Sequence, residues 1–537
     1  MRMTGWALLL LTAAACSGCG DRDGRKVATG DRVPEAGGTV VMAFGAEPDV
    51  LNPLIHTSAQ AGQVIVLLLD GLVEMEEDFL YHPRIAERLT FSPDSLMITV
   101  HLNPWCWSDG TPLTADDVVR SFELFVDPLV ASPRAGGRLA NVLGVSAIDE
   151  RTVRYDFRER RADQVATLGH ALLPAAAVLE LDPAAVRAWP LNDAPAANGM
   201  FELESWERGR HLILRRNESY PGIKPLLERI LIRFIPDETA RLVELETGGV
   251  DVVDNVPPHR AARLAEQEGI EVAASAGRLM GMVYWNHELD LFADRRVRKA
   301  LSLAANRSAF VDGLLSGYGT PAGGPLPPVL WAHDASIAPD PFDPDAARRL
   351  LEEAGWTDND GDGIRDRNGK RFSFTLVTRK GDPVRENGVV ILSENYRAVG
   401  VDVKTRVLEF STVIDHVRQG DFEAYLGVFS ARLAVDPSGL LGSDSFDRWN
   451  YGHYANAYAD SLMNLALSLT DRDAARPVWA EFQRHCAEDQ PMAFLYYPHD
   501  IVAHSSRLEA VRPHVLSPYQ TIREWWIPAE LRRYDHQ

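Results

Sequence analysis

The residues best equipped to hold something are a run of carboxylates. Asp358, Asp360, Asp362 and Asp366 fall at positions 1, 3, 5 and 9 of one loop, with Gly363 at its sharp turn and the carbonyl of Ile364 as a further oxygen. That alternation is how hard oxygen ligands surround calcium. The twelfth position is Gly369, where an EF-hand supplies a bidentate glutamate. Two readings therefore stand: a calcium-stabilised turn with a structural role, or a solvated Asp/Gly hairpin turn. No cofactor is otherwise required. A second group is aromatic: Phe446, Trp449, Tyr451, Tyr454 and Tyr458. Such rings give concave small-molecule sites rigid apolar area with polar tips, and they also pack cores. Just ahead of them come Phe429 and Arg432. The guanidinium fork of Arg432 suits a carboxylate or phosphate on a ligand, or equally a surface salt bridge.

Reactive chemistry leaves fewer traces. There is no G-x-S-x-G elbow and no H-E-x-x-H, since His287-Glu288 lacks a second histidine at the required spacing. The one C-x-x-C is Cys16 to Cys19, near the N-terminus. No glycine loop of phosphate-binding form follows a strand. Carboxylates are abundant, so a hydrolase working through an acid pair stays open as an alternative.

The elements that must position these groups alternate between strand and helix signals. Thr39–Phe44, Asp94–Leu102, Thr152–Phe157, Glu228–Phe234, Phe372–Val377 and Val401–Val407 read as strands. Ala194–Trp206 and His211–Arg216 read as a two-strand unit turning at Glu207-Arg208-Gly209. Helices are expected over Ala59–Leu69, Ala115–Phe125, Thr239–Glu246, Val297–Phe310 and around Glu394–Val399. Another opens at Asp343-Pro344, with aspartate as N-cap and proline at the first position, and closes at Gly355. Between Trp107 and Val118, Asp109-Gly110 marks a turn, Thr114 stands where it can cap the next helix, and Asp116 and Asp117 complement the dipole of its first turn. This alternation favours α/β lobes with mixed sheets.

At 537 residues with 46% hydrophobic content, the chain exceeds one ordinary core, so two or three lobes are expected. A formal net charge of −21 argues against nucleic acid or an anionic membrane surface as partner. Arg2 precedes a short apolar run, Trp6 to Ala15, about half the length of a spanning helix. It ends in small residues before Cys16 and again before Cys19, like a lipoprotein signal. Residues 1–16 are read as signal peptide, with Cys16 (alternatively Cys19) lipidated, and 17–38 as a flexible tether. Cys106 and Cys486 are expected as two separate buried thiols.

Several stretches resemble, in order, the family 5 extracellular solute-binding proteins, the receptors of peptide-type ABC importers. They are Glu47-Pro48-Asp49-Val50-Leu51-Asn52-Pro53, Asp70-Gly71-Leu72-Val73, Pro83-Arg84-Ile85-Ala86-Glu87 and the corner Trp107 to Val118. After it come Asn198-Gly199-Met200-Phe201, Arg215 to Tyr220, Gly248-Gly249-Val250-Asp251, Asp294 to Leu301, and Asn306-Arg307. The resemblance implies an α/β fold of the type II periplasmic binding protein class: two lobes with mixed sheets joined by a hinge, plus an additional domain. Carried onto this chain, the first lobe takes 37–60, 190–275 and 501–537, the additional domain 61–189, and the second lobe 276–500. It further implies a monomer without enzymatic activity. Lipid-anchored outside the cytoplasm, such a protein traps a short peptide, a metal chelate or an oligosaccharide between the lobes and passes it to a permease driven by an ATPase. A ligand-sensing module of the same fold is the remaining alternative. In similar peptide receptors an aspartate in a stretch like A-D-Y-N-E-P holds the peptide's ammonium. The matching stretch here is Arg432-Leu433-Ala434-Val435-Asp436-Pro437, and the ammonium position falls on uncharged Leu433. Asp436 either substitutes after a local shift or caps a helix at Pro437. Trp449 and Tyr451, then Phe429 and Arg432, lie nearest the family's cleft segment.

Overall fold

Met492–Ser505 is a strand rich in aromatic and β-branched residues, buried along most of its length, with a half-buried Pro498-His499-Asp500 at its middle. It belongs to two sheets. Its first half pairs antiparallel with Leu279–Trp285 and Gly319–Pro321, its second with Ile270–Ala276 and Val252–Val253. The computed structural model describes residues 33–135, 139–161, 164–446, 448–469 and 471–533. The expected signal peptide, both candidate lipidation cysteines and most of the tether lie outside them. Among the described residues no helix is long and apolar enough to cross a membrane.

The two sheets are the frames of two lobes. One runs Phe201–Glu207, His211–Arg216, Arg229–Phe234, Thr39–Phe44, Val252–Val253 and onto the shared strand. The other runs Asp402–Leu408, Ser373–Arg379, Ala424–Ser430, Leu279–Trp285 and onto the same strand. The chain crosses between them a second time where Ile270–Ala276 passes into Leu279–Trp285 through Gly277-Arg278. A Cβ at Gly277 would come within 2.9 Å of the Pro498 carbonyl oxygen, so only glycine lets the two crossings lie this close. A separate antiparallel sheet, Ala86–Phe91, Met97–Leu102, Thr152–Phe157 and Val142–Asp149, shares one continuous apolar core with the first lobe. The second lobe packs two cores, one on each face of its sheet strand Leu279–Trp285: Met280, Met282 and Tyr284 enter one, Val283 and Trp285 the other. Away from the crossings, Arg472 donates to the carbonyls of Asp78 (3.4 Å) and Phe79 (2.6 Å), tying a second-lobe helix to the turn after Val73–Met75.

Local signals set most element boundaries. Asp343 accepts from Ala346 N–H at 2.8 Å, Pro344 opens the helix Pro344–Glu353, and Gly355 follows it at φ +83. At the Trp107 corner, Gly110 turns the chain at φ +85 and the helix Ala115–Val126 begins after Thr114. Thr114 is the N-cap, as expected, in a capping box with Asp117: buried Asp117 accepts from the Thr114 N–H at 2.7 Å and also from Ala175 N–H at 2.6 Å. The helix expected over Val297–Phe310 is Arg295–Ala304, with a separate π-helical turn at Ala309–Leu314. Buried Arg307 donates to the carbonyls of Ser302, Ala305, Ala322 and Phe494, and so draws the chain out of the helix at its end. The strand expected from Ala194 begins only at Phe201. Cys106 and Cys486 are both free, and Cys106 is half-buried rather than buried.

The stretches that carried the family resemblance meet in buried polar seams. Asp70 accepts from the Tyr220 hydroxyl at 2.8 Å and lies 3.9 Å from Arg84, which pairs with Glu74. Asp251 accepts from Val41 N–H at 2.8 Å and is paired with buried Arg507, anchoring the C-terminal segment to the sheet. Burial pushes the Asp70 carboxyl up to about 6, against the opposing pull of Arg84 and Tyr220. A raised carboxyl favours the folded state only while protonated. Its contribution is complete below the unfolded value near 3.8 and is lost as pH rises through about 6. We expect Asp70→Asn to gain melting temperature relative to wild type as pH rises from 4 to 7, the ceiling being about 3 kcal/mol. Parallel melting curves across that range would contradict this account.

Candidate functional site

A cavity of about 430 Å³ opens in the second lobe. Its polar wall begins where the strand Ser373–Arg379 ends and the helix Pro383–Arg397 starts. Asp382 caps that helix, accepting from Arg385 N–H at 3.1 Å, with Pro383 at the first position. The same carboxylate accepts from Arg385 Nε at 2.9 Å and pairs with its Nη2 at 2.7 Å. Arg379 Nη2 stands 3.8 Å from it, and the buried Arg379 Nε–H has no hydrogen-bond partner. Arg385 is buried, whereas the Arg379 side chain is 35% exposed and lies over the Phe410 ring.

The aromatic wall comes from strand pairing. Tyr284 and Tyr425 are cross-strand partners, and their rings stack 5.5 Å apart; Tyr451 leans on Tyr284 at 5.8 Å. A Cβ at Gly427 would come within 2.6 Å of the Tyr425 ring and 3.0 Å of the Tyr284 ring, so a glycine leaves room for the pair. Burial raises the Tyr284 hydroxyl well above its ordinary range, and the Tyr425 hydroxyl too, so both stay neutral donors. Two residues along from Gly427, Phe429 meets Trp449 edge-on at 5.8 Å. Exposed Arg432 lies 5.4 Å over the Trp449 ring.

Phe429, Arg432, Trp449 and Tyr451 thus line one cavity, as expected candidates brought together by the fold. Leu433 does not line it but packs half-buried on the neighbouring core. Asp436 does not line it either: its carboxylate accepts from Ser438 N–H at 3.1 Å and from the Ser438 hydroxyl at 2.6 Å, beside the short helix Ser438–Leu441. The other aromatic candidates lie elsewhere. Tyr454 donates to Asp489, Phe446 stacks on His453, and Tyr458 donates to Glu481. Sequence reasoning missed Tyr284, Arg379, Arg385, Phe410 and Tyr425. One signal was available for the arginines: Asp382-Pro383 repeats the cap at Asp343-Pro344 and would have moved the helix start back to them.

The acidic loop is a separate feature. Oxygens of Asp358, Asp360 and Asp362 lie within 4.8 Å of one another. Asp358 accepts from Gly361 and Gly363 N–H, Asp360 from Asp362 N–H, and Asp362 from Ile364 N–H. Asp366 turns instead to Asn359 and the facing strand, and Ile364 is buried.

Residues 81–451 match the model of the bacterial extracellular solute-binding proteins, family 5, and the chain belongs to that family. It is therefore an extracytoplasmic solute-binding protein of the ABC peptide/nickel importer class, a binding protein and not an enzyme. It is 28% identical over 536 residues to the oligopeptide-binding protein AppA of Bacillus subtilis, covering 97% of each chain. It is 30% identical over 471 residues to Protein XP55 of Streptomyces lividans, covering 86% of this chain and 84% of the other. The structure of the Bacillus AppA with a nonapeptide superposes with a TM-score of 0.70 over 92% of this chain and all (100%) of that one. NikA from Brucella suis with Fe(III)-EDTA, 20% identical, shares the fold with a TM-score of 0.79 over 91% of this chain and 100% of its own.

The two cavity arginines should differ sharply on removal. Arg385→Ala takes a buried guanidinium from Asp382 and should cost about 2 kcal/mol. Arg379→Ala, more exposed, should cost under about 1 kcal/mol. Urea unfolding of both variants measures the gap, and equal losses would mean that Asp382 does not depend on Arg385.

Proposed function

We propose that this chain captures a short peptide outside the cytoplasm and delivers it unaltered to a membrane permease driven by a separate ATPase. The cavity carries this reading. At about 430 Å³, with aromatic walls and a few placed polar groups, it has the size and lining of small-ligand sites. The nonapeptide held by the similar AppA supports a peptide over other solutes. Uncharged Leu433 and self-engaged Asp436 argue that the ammonium is not captured as in standard peptide receptors.

The same reading places ligand between a first lobe of 37–60, 190–275 and 501–537, with the additional domain 61–189, and a second lobe of 276–500. The crossings at Gly277-Arg278 and Pro498-His499 serve as its hinge. The protein works as a monomer tethered by a lipid on Cys16.

Native mass spectrometry of protein purified without refolding should show one bound peptide per chain, released with its mass unchanged. A non-peptide adduct, or cleaved product, would refute the proposal. For the anchor, protein taken from cell membranes should have an N-terminus at Cys16 bearing acyl mass, lost in Cys16→Ser; an unmodified mature N-terminus would rule the anchor out.

A further inference from the structure

The contact between Arg472 and the turn after Val73–Met75 joins two locally unfavourable choices. Arg472 is the first residue of the helix Arg472–Asp489, which Asp471 caps. A cation at that position opposes the helix dipole, and Arg476, one turn on, repels it. Both guanidinium groups lie over the Trp331 ring, at 5.2 Å for Arg472 and 5.7 Å for Arg476, but they donate in different directions. Arg476 donates to the Trp331 carbonyl within its own lobe. Half-buried Arg472 donates across to the other lobe, to the carbonyls of Phe79 at 2.6 Å and Asp78 at 3.4 Å. Ala475, Trp479 and Phe482 root its helix in a second-lobe core.

The facing turn is equally fixed. Leu72 and Val73 bury the base of its hairpin in the core shared with the first lobe. The ladder of that hairpin ends at Met75 and Tyr81, so the carbonyls of Asp78 and Phe79 lie beyond it. Phe79 stands at φ +59, a left-handed conformation that is strained for an aromatic residue. The turn is braced from within: Phe79 N–H donates to the Glu76 carbonyl at 2.9 Å, and the Asp78 carboxylate accepts from Leu80 N–H and from His82 Nε2, each at 2.8 Å. The Phe79 ring lies 5.6 Å from that of His514. Glu76, Glu77 and Asp78 make this tip acidic, opposite in sign to the helix start that it meets. Strain on one side and repulsion on the other persist where a contact between the two needs them. None of these residues lines the cavity.

Resting on the reading that the crossings at Gly277-Arg278 and Pro498-His499 are the hinge, we propose that Arg472 and the carbonyls of Asp78 and Phe79 form a latch that holds the lobes shut independently of what is bound. Turning about the hinge parts the guanidinium from the turn while the backbone ladders at the crossings stay intact. The latch favours the closed arrangement by the same increment for every ligand, and so sets how long a captured ligand stays rather than which ligand is chosen.

The test compares the full chain with its Arg472→Gln and Arg476→Gln variants by small-angle X-ray scattering, after ligand is stripped. Arg472→Gln should have a larger radius of gyration than wild type, with its melting temperature kept within about 3 °C. Arg476→Gln should match wild type. The second readout is dissociation of a pool of synthetic random nonapeptides, the length held by the similar AppA. Arg472→Gln should release them about fivefold to tenfold faster, the low end of a charge-assisted hydrogen bond's worth. An unchanged radius of gyration in Arg472→Gln overturns the latch whatever the peptides do, and a lowered melting temperature beside it would mark a purely structural contact. Equal expansion in Arg476→Gln also overturns it, by tracing the effect to packing on Trp331. If all three proteins scatter alike both stripped and loaded with peptide, the hinge reading falls as well; if loading still contracts the wild type, only the latch falls. Expansion of Arg472→Gln in a chain that binds no peptide upholds the latch and refutes the peptide reading.

Discussion

One strand carries the architecture. Met492–Ser505 hydrogen-bonds into both lobes, so neither sheet is complete without the other. A backbone ladder resists stretching and shear, yet twists at a point where its pairing changes hands. That point is Pro498-His499-Asp500, where the strand leaves Gly319–Pro321 and Leu279–Trp285 and takes up Ile270–Ala276. Proline removes a donor there and the side chains are only half-buried, so the packing that fixes each half is thinnest at the crossing. Gly277 on the parallel crossing allows the two segments to lie in contact. Covalent and hydrogen-bonded continuity thus runs through both crossings, the connection that lobes turning about a hinge require.

The buried polar groups divide into two populations. One holds the frame: Asp70 with Tyr220 and Arg84, Asp251 with Arg507, and Arg307 with the carbonyls around it. Apart from Arg507, these lie in the stretches that resemble the family, because any chain folded this way must satisfy the same backbone groups and close the same corners. The other population lines the cavity, where Arg379 retains a donor without a partner. Frame residues are largely engaged with each other, although Arg84 Nε, like Arg379 Nε, is a buried donor without a hydrogen-bond partner.

Electrostatics sharpen the division. An acidic chain keeps anions away at long range, yet its cavity wall is arginine-rich. The aromatic rings beside those guanidinium groups lower the local dielectric and stack with them, at 5.6 Å for Arg379 on Phe410 and 5.4 Å for Arg432 on Trp449. The local environment, not the net charge, decides what can enter.

The sequence by itself determined the fold class, the family and most element boundaries. The family followed from resembling stretches in family order, and local signals located elements: the cap at Asp343, the β-branched run Thr39–Phe44, alternation in Thr152–Phe157, and turns such as Asp109-Gly110. The resemblance also pointed to Phe429, Arg432, Trp449 and Tyr451, as the residues nearest the family's cleft segment. The sequence could not show that Tyr284 lies beside Tyr425, because cross-strand register follows from sheet pairing across more than a hundred residues. Nor could it separate Asp436, closed on its own turn, from Asp382, which positions a guanidinium. Side-chain type and spacing fix what a residue can do, but burial and partners, which only the tertiary structure sets, decide whether that capacity is already used.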